Sequence, residues 1–219
     1  MKTISLHDVM PDIFALGDEK SSTGSESDIW MRQVTFVRPE HYLVAAQSGT
    51  GKSSLCGFVY GNRSDYQGCI EFDGEDIRKF DDLRWAEIRQ RSIALLPQEM
   101  RIFPELSVME NIDIKNRLTG FKSRAAIMEM LDRLGIAHKA DKPARLLSIG
   151  QQQRVAIVRT LCQPFAFLLL DEPVSHLDER NNAVVAEMIE GEASAQGAAI
   201  IATSVGNNLR LTNYQTLNL

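Results

Sequence analysis

Apolar residues run unbroken through Tyr42 to Ala46, Phe165 to Leu170 and nearly so through Ser92 to Pro97 and Ala198 to Thr203. Such short runs predict strands buried on both faces, the habit of a parallel sheet. Ile4 to Leu6 alternates instead, and Asp28 to Val37 reads as its antiparallel partner, with Ile29, Trp30, Val34 and Phe36 available for burial. The polar segment Lys20 to Ser27 between them is expected to be a loop. Gly68 to Gly74 predicts a strand entering an Asp-Gly turn. Helical character is read at Asp81 to Arg91, Gly150 to Leu161 and Asn181 to Ala195. From Glu99 to Arg145 the pattern is amphipathic helix, broken at Pro104, at Thr119-Gly120 and at Gly135. The expectation is an α/β fold with a mostly parallel sheet core and an antiparallel β edge. Residues 1–98 and 147–219 would form the core, and 99–146 an inserted helical subdomain. No internal repeat is found, and ligands of such a sheet gather at the C-terminal strand ends.

The segment Ala46 to Ser53 follows one of these strands and opens a helical pattern. Its wording, Ala46-Gln-Ser-Gly-Thr-Gly-Lys-Ser53, follows the phosphate-binding pattern G-x-x-x-x-G-K-S/T except at the first position, where Ala46 stands. Gly49 and Gly51 let successive backbone N–H groups converge on phosphate oxygens. Lys52 can reach the terminal phosphates, Ser53 can offer a hydroxyl to Mg²⁺, and the helix start adds its positive dipole end. Gln47, Ser48, Gly49, Thr50, Gly51, Lys52, Ser53 and Ser54 are therefore candidate contacts to a nucleoside triphosphate in a P-loop NTPase. The alternative is a Gly-rich strand-to-helix turn without a ligand.

Phe167 to Pro173 is an apolar strand ending in two acids. Asp171 at its tip would hold Mg²⁺, and Glu172 would act as general base toward the attacking water; two acids capping a helix would read the same way. Ser148 and Gln151 have the spacing of a capping box at the start of the next helix. Gly150 is not needed by a cap, since glycine in a first turn costs stability but admits an anion closely. Cap and anion site both remain open on this segment.

Composition narrows the partners. The 219 residues are 44% hydrophobic and 24% charged, with formal net charge −5 and no long Lys/Arg block, which argues against nucleic acid. The longest apolar run falls far short of the roughly 20 residues of a membrane span. Met1-Lys-Thr-Ile-Ser has no apolar stretch, so no secretory signal is read. Cys56, Cys69 and Cys162 show no C-x-x-C spacing and are expected to be reduced thiols in the cytosol.

Taken in order, Ala46 to Ser53, Gln98, Leu147 to Gln151, Leu168 to Pro173 and Ser175 to Asp178 resemble the motifs of the ATP-binding cassette subunits of ABC transporters. The resemblance covers nearly the whole chain, includes Phe103 to Ile112, and in Gln151 to Arg159 is similar in wording to cassettes of the lipoprotein-release and macrolide-export type. It implies an ATPase with ATP and Mg²⁺ as cofactors, a cytoplasmic chain peripheral on the inner face of the cell membrane, a second cassette as head-to-tail partner, and a membrane permease on another chain. Gln98 would contact Mg²⁺ and the attacking water. Ser148, Gly150 and Gln151 would touch the other subunit's terminal phosphate, and Asp178 would lie at the dimer interface. Phe14 is the candidate for stacking on adenine, with core packing as the alternative. Three positions depart from the family's pattern: Ala46, Ile149 in the signature segment, and Ser204 where a histidine contacts the terminal phosphate. These departures predict slow hydrolysis, or a nucleotide-gated clamp. Met100, Ile102, Phe103 and Leu106 are candidates for the permease-facing surface or for internal packing. Thr212 to Leu219 leaves room for one closing strand, with the family's further C-terminal elements largely missing.

Overall fold

The computed structural model describes residues 1–15 and 27–219; most of the polar segment read as a loop, residues 20–26, lies outside them. Two sheets organise the chain. Strands β1 (Thr3–Pro11), β2 (Gln33–Val37), β4 (Tyr66–Phe72) and β5 (Glu75–Asp76) form an antiparallel sheet of their own in the order β2-β1-β4-β5. β3 (His41–Ala45), β6 (Ile93–Leu96), β7 (Phe167–Asp171), β8 (Ala199–Ser204) and β9 (Gln215–Asn218) form a parallel sheet in the order β6-β7-β8-β3-β9. β9 is the closing strand expected near the C-terminus, paired with β3.

The second strand is shorter than the alternation suggested. Ser27 Oγ accepts from the amides of Ile29 and Trp30 at 3.1 and 2.8 Å, and Met31 takes φ 56°. A hydroxyl that satisfies two successive amides replaces the ladder with a turn, so pairing to β1 begins at Gln33. Ile29 and Trp30 are nevertheless fully buried.

β7 is buried at every position because both faces of the parallel sheet are covered. After the single turn α1 (Asp12–Ala15) the next helix is α2 (Lys52–Val59); Phe167 and Leu169 pack into a cluster with it and the antiparallel sheet, whereas Leu168 and Leu170 face a second cluster. That second cluster draws on α4 (Val108–Asn116), α5 (Arg124–Arg133), α6 (Ile149–Leu161) and α7 (Glu179–Gln196). The period-2 pleat of one strand thus divides the core in two.

The helix starts are capped as their sequences suggest. Asp81 accepts from Arg84 N at α3 (Asp82–Arg91), Ser123 caps α5, and Asp178 caps α7. Ser107 and Glu110 form a reciprocal capping box at α4, and Ser148 and Gln151 do so at α6. Gly120 and Gly135 take φ 62° and 68° at the breaks that end α4's segment and α5.

Candidate nucleotide-binding site

The tip of β3 is held against the tip of β8, since Ala46 N donates to Ser204 O at 3.1 Å. The chain then turns through Gly49 and Gly51, at φ 87° and 99°, into α2. A Cβ at Gly49 would meet nothing within 4 Å, so glycine is required there by backbone conformation alone. At Gly51 space is also short, because a Cβ would lie 3.1 Å from both Phe14 and Trp30. Trp30 Nε1 donates to Thr50 O at 3.0 Å, which fixes the loop from behind. Thr50 Oγ1 and Lys52 Nζ both donate to Gln47 O, at 3.0 and 2.9 Å.

Lys52 is only 6% exposed, and its Nζ lies 3.6 Å from Glu172 Oε1. The two arrive from different strand ends, Lys52 after β3 and Glu172 after β7. Glu172 itself sits at φ 50°. Its amide donates to Thr203 Oγ1 at 3.3 Å, and the same hydroxyl donates to Asp171 Oδ1 at 2.8 Å. Thr203 therefore orders both acids from the neighbouring strand. Asp171 is buried, as is the nearby Cys56, whose thiol is raised well above its ordinary value by burial and then by the charge of Asp171.

A cleft of about 330 Å³ opens over this arrangement, lined among others by Phe14, Ser48, Gly49, Lys52, Gln98 and Glu172. A second cleft of about 310 Å³ shares Ser53, Arg63 and Gln98 with it and reaches Asp171. The structure thus brings together most of the expected loop residues, both acids and Gln98. Gln47 and Thr50 act through the loop's internal bonds, and Ser54 Oγ accepts from Arg63 at 2.8 Å. Phe14 lines the cleft with its ring edge against Gly51, and the exposed Ile13 beside it offers a second apolar surface.

Five further expected residues stand apart from both clefts. The Ser148–Gln151 capping box is fully engaged, for Gln151 Oε1 accepts from Ser148 N and from Lys139 Nζ at 3.1 and 2.9 Å. Gly150 has a packing reason to be glycine, because a Cβ there would lie 2.8 Å from His176 O. The Asp178 carboxyl is held below its ordinary value, first by the Asn181 amide that it caps. Ser204 is 2% exposed, and among the described residues its hydroxyl has no hydrogen-bond partner. Thr203, Arg63 and Ile13 were not singled out from the sequence, and Trp30 was read only as a residue available for burial.

The donor chemistry fits a Mg-nucleotide. An ammonium has three protons, and among the described residues Lys52 commits only one to a hydrogen bond, with Gln47 O, so two remain for phosphate oxygens. Ser53, Gln98 and Asp171 offer hard oxygen donors at the adjoining cleft. Among the described residues no group of three His, Cys, Asp or Glu side chains is placed to hold a metal ion.

Loop, lysine and paired acids on a parallel sheet define a P-loop nucleotide-binding protein. Comparison with known proteins narrows this: the family described as ABC transporter matches residues 33–175. The chain is 32% identical over 184 residues to the lipoprotein-releasing system ATP-binding protein LolD of Geobacter metallireducens, covering 83% of this chain and 81% of that one. It is 33% identical over 160 residues to the ABC transporter ATP-binding protein YtrE of Bacillus subtilis, covering 72% and 69%. The solved dimeric structure of MJ0796, described as a bacterial ABC transporter cassette, shares the fold with a TM-score of 0.77 at 21% identity, over 98% of this chain and 94% of that one. The chain belongs to the ABC transporter family, as an ATP-binding, ATPase-type subunit. Among the described residues no helix is long and apolar enough to cross a membrane.

Proposed function

We propose that this chain hydrolyses ATP to drive a separate membrane permease, working as a dimer of cassettes on the cytoplasmic face of the cell membrane. The meeting of Lys52 and Glu172 at 3.6 Å carries this reading. Lys52 and the loop amides from Ser48 to Ser54 hold the phosphates, and Phe14 with Ile13 receives the base. Ser53, Gln98 and Asp171 would hold Mg²⁺, whose charge would offset that on the transferring phosphoryl group. Glu172 takes a proton from the water whose oxygen attacks the terminal phosphorus as its bond to the ADP oxygen breaks. Ser148, Gly150, Gln151 and Asp178, apart from the chain's own cleft, are assigned to the partner's nucleotide. The helices of 99–146 form the inserted subdomain, and this surface begins where the core resumes at 147.

Permease docking is assigned to a groove of about 290 Å³ lined in part by Leu95, Pro97, Phe103, Ile114 and Lys115. Phe103 is 51% exposed, whereas Met100 is buried in the core and Ile102 packs against it. Among the described residues no acidic side chain lines this groove. Burial, then the charges of Arg159 and Arg89, hold the Lys115 ammonium below its ordinary value, so a segment pairing an apolar side chain with a carboxylate suits the groove.

A second reading is a cassette that closes on ATP and hydrolyses it slowly. It is favoured by Ser204, buried where the family carries a histidine, and by Ile149, 54% exposed in the signature segment. Glu172→Gln tests the main reading, because the amide keeps the side chain's shape but cannot take the proton. Light scattering in Mg-ATP is expected to show twice the monomer mass with hydrolysis stalled; unimpaired hydrolysis would remove Glu172 from the mechanism.

A further inference from the structure

α6 carries a buried glutamine that none of these roles uses. Gln153 is 2% exposed, and both ends of its amide are engaged. Its Nε2 donates to Glu172 O at 3.4 Å and to Ser175 Oγ at 3.3 Å, while its Oε1 accepts from His176 N at 3.0 Å. The partners fix which way the amide points, since His176 N can only donate and Glu172 O can only accept. Ser175 Oγ, accepting from Gln153, has its own proton for His176 Nδ1 at 3.0 Å. A neutral His176 so held carries its remaining proton on Nε2, on an exposed ring.

The backbone that Gln153 grips is the one that aims Glu172. A non-glycine residue at φ 50° occupies a left-handed conformation that persists only where its surroundings hold it. Two contacts from other elements hold it from opposite sides: Thr203 on β8 takes the Glu172 amide, and Gln153 on α6 takes the carbonyl, which also accepts from Ser175 N within the turn at 3.4 Å. Gln153 also holds the amide four residues further on, so the turn from Glu172 to His176 is pinned at both ends.

We propose that Gln153 is a positioning residue for ATP hydrolysis, holding the turn from Glu172 to His176 so that the Glu172 carboxylate stays over Lys52. This rests on Glu172 being the base. Gln153 lines neither nucleotide cleft, so its loss acts on turnover and not on ATP affinity.

The experiment compares the native chain with Gln153→Met, Gln153→Ala and Glu172→Gln. Methionine keeps the volume and removes all three hydrogen bonds. Steady-state hydrolysis is expected to show kcat lower by about tenfold in both Gln153 variants, the effect of losing roughly one net hydrogen bond, with KM for ATP unchanged. Amide hydrogen exchange, which needs no turnover, is expected to quicken from Glu172 to Leu177 in both variants. Native kcat and native exchange in Gln153→Met would overturn the proposal, because packing alone would then suffice. Full turnover in Glu172→Gln would overturn the underlying reading instead, so the two failures are separable.

Discussion

Lys52 and Glu172 form an ion pair at 3.6 Å in which both side chains are largely shielded from water. Each needs the other, since a lone buried charge is costly, and a bound triphosphate offers Lys52 a second anion. Lys52→Ala is expected to weaken ATP binding by roughly 2–5 kcal/mol, the range for truncating one partner of a desolvated charge pair. Calorimetry showing native affinity would refute the site.

Phe103 stands in the groove assigned to the permease, half exposed on a segment whose neighbours Met100 and Ile102 are packed inward. Phe103→Asp places a carboxylate at a solvent-facing position, where the fold tolerates it. The variant is expected to bind ATP normally and to lose co-purification with its permease. Retained association would move the docking surface elsewhere.

Ser204 occupies a closed space, so Ser204→His has two expected effects. Overfilling that space costs roughly 1–3 kcal/mol of stability. A ring that swings toward the phosphates adds a preorganised donor of a kind worth about 10²–10³ in rate at oxyanion sites. Turnover is expected to rise while the melting temperature falls. A variant that folds and hydrolyses no faster would show that Ser204 does not limit this ATPase.

Gly61 packs against Trp85 of α3, which forms an aromatic group with Phe72 and Phe80. At φ 71° it has no room for a side chain, because a Cβ would lie 2.3 Å from Trp85 Cη2. Gly61→Ala is expected to lower stability by roughly 1–3 kcal/mol, read by thermal denaturation. An unchanged melting temperature would contradict the packing described.

Much of this could be read in the sequence because its causes are local. Gly49, Gly51 and Lys52 follow an apolar strand within a few residues, and β7 shows its double burial in its own letters. Trp30 was legible only as an apolar strand residue. Its indole N–H meets Thr50 O because two sheets stack, which no periodicity reports. Thr203 and Gln153 were hidden for the same reason: one hydroxyl and one amide acquire their work from loops brought in by chain reversals. Gly150 was legible as unusual but not as to cause. Its tight contact with His176 O supplies a packing reason that any phosphate would share.

At its far end α6 carries Arg159, whose guanidinium donates to Met100 O and to Arg101 O, the latter at 2.9 Å. Met100 and Arg101 are successive residues at φ 56° and 50°, so the turn after Gln98 hangs from this side chain. One helix thus grips the Glu172 turn near its start and the Gln98 turn near its end. Thirteen residues make a rod about 20 Å long. Gln153 and Arg159 lie about 9 Å apart along it, so a tilt of about 13° about the point midway between them would carry each about 1 Å, in opposite directions. A push on the groove beside Phe103 and a shift of the carboxylate over Lys52 are then the two ends of one see-saw.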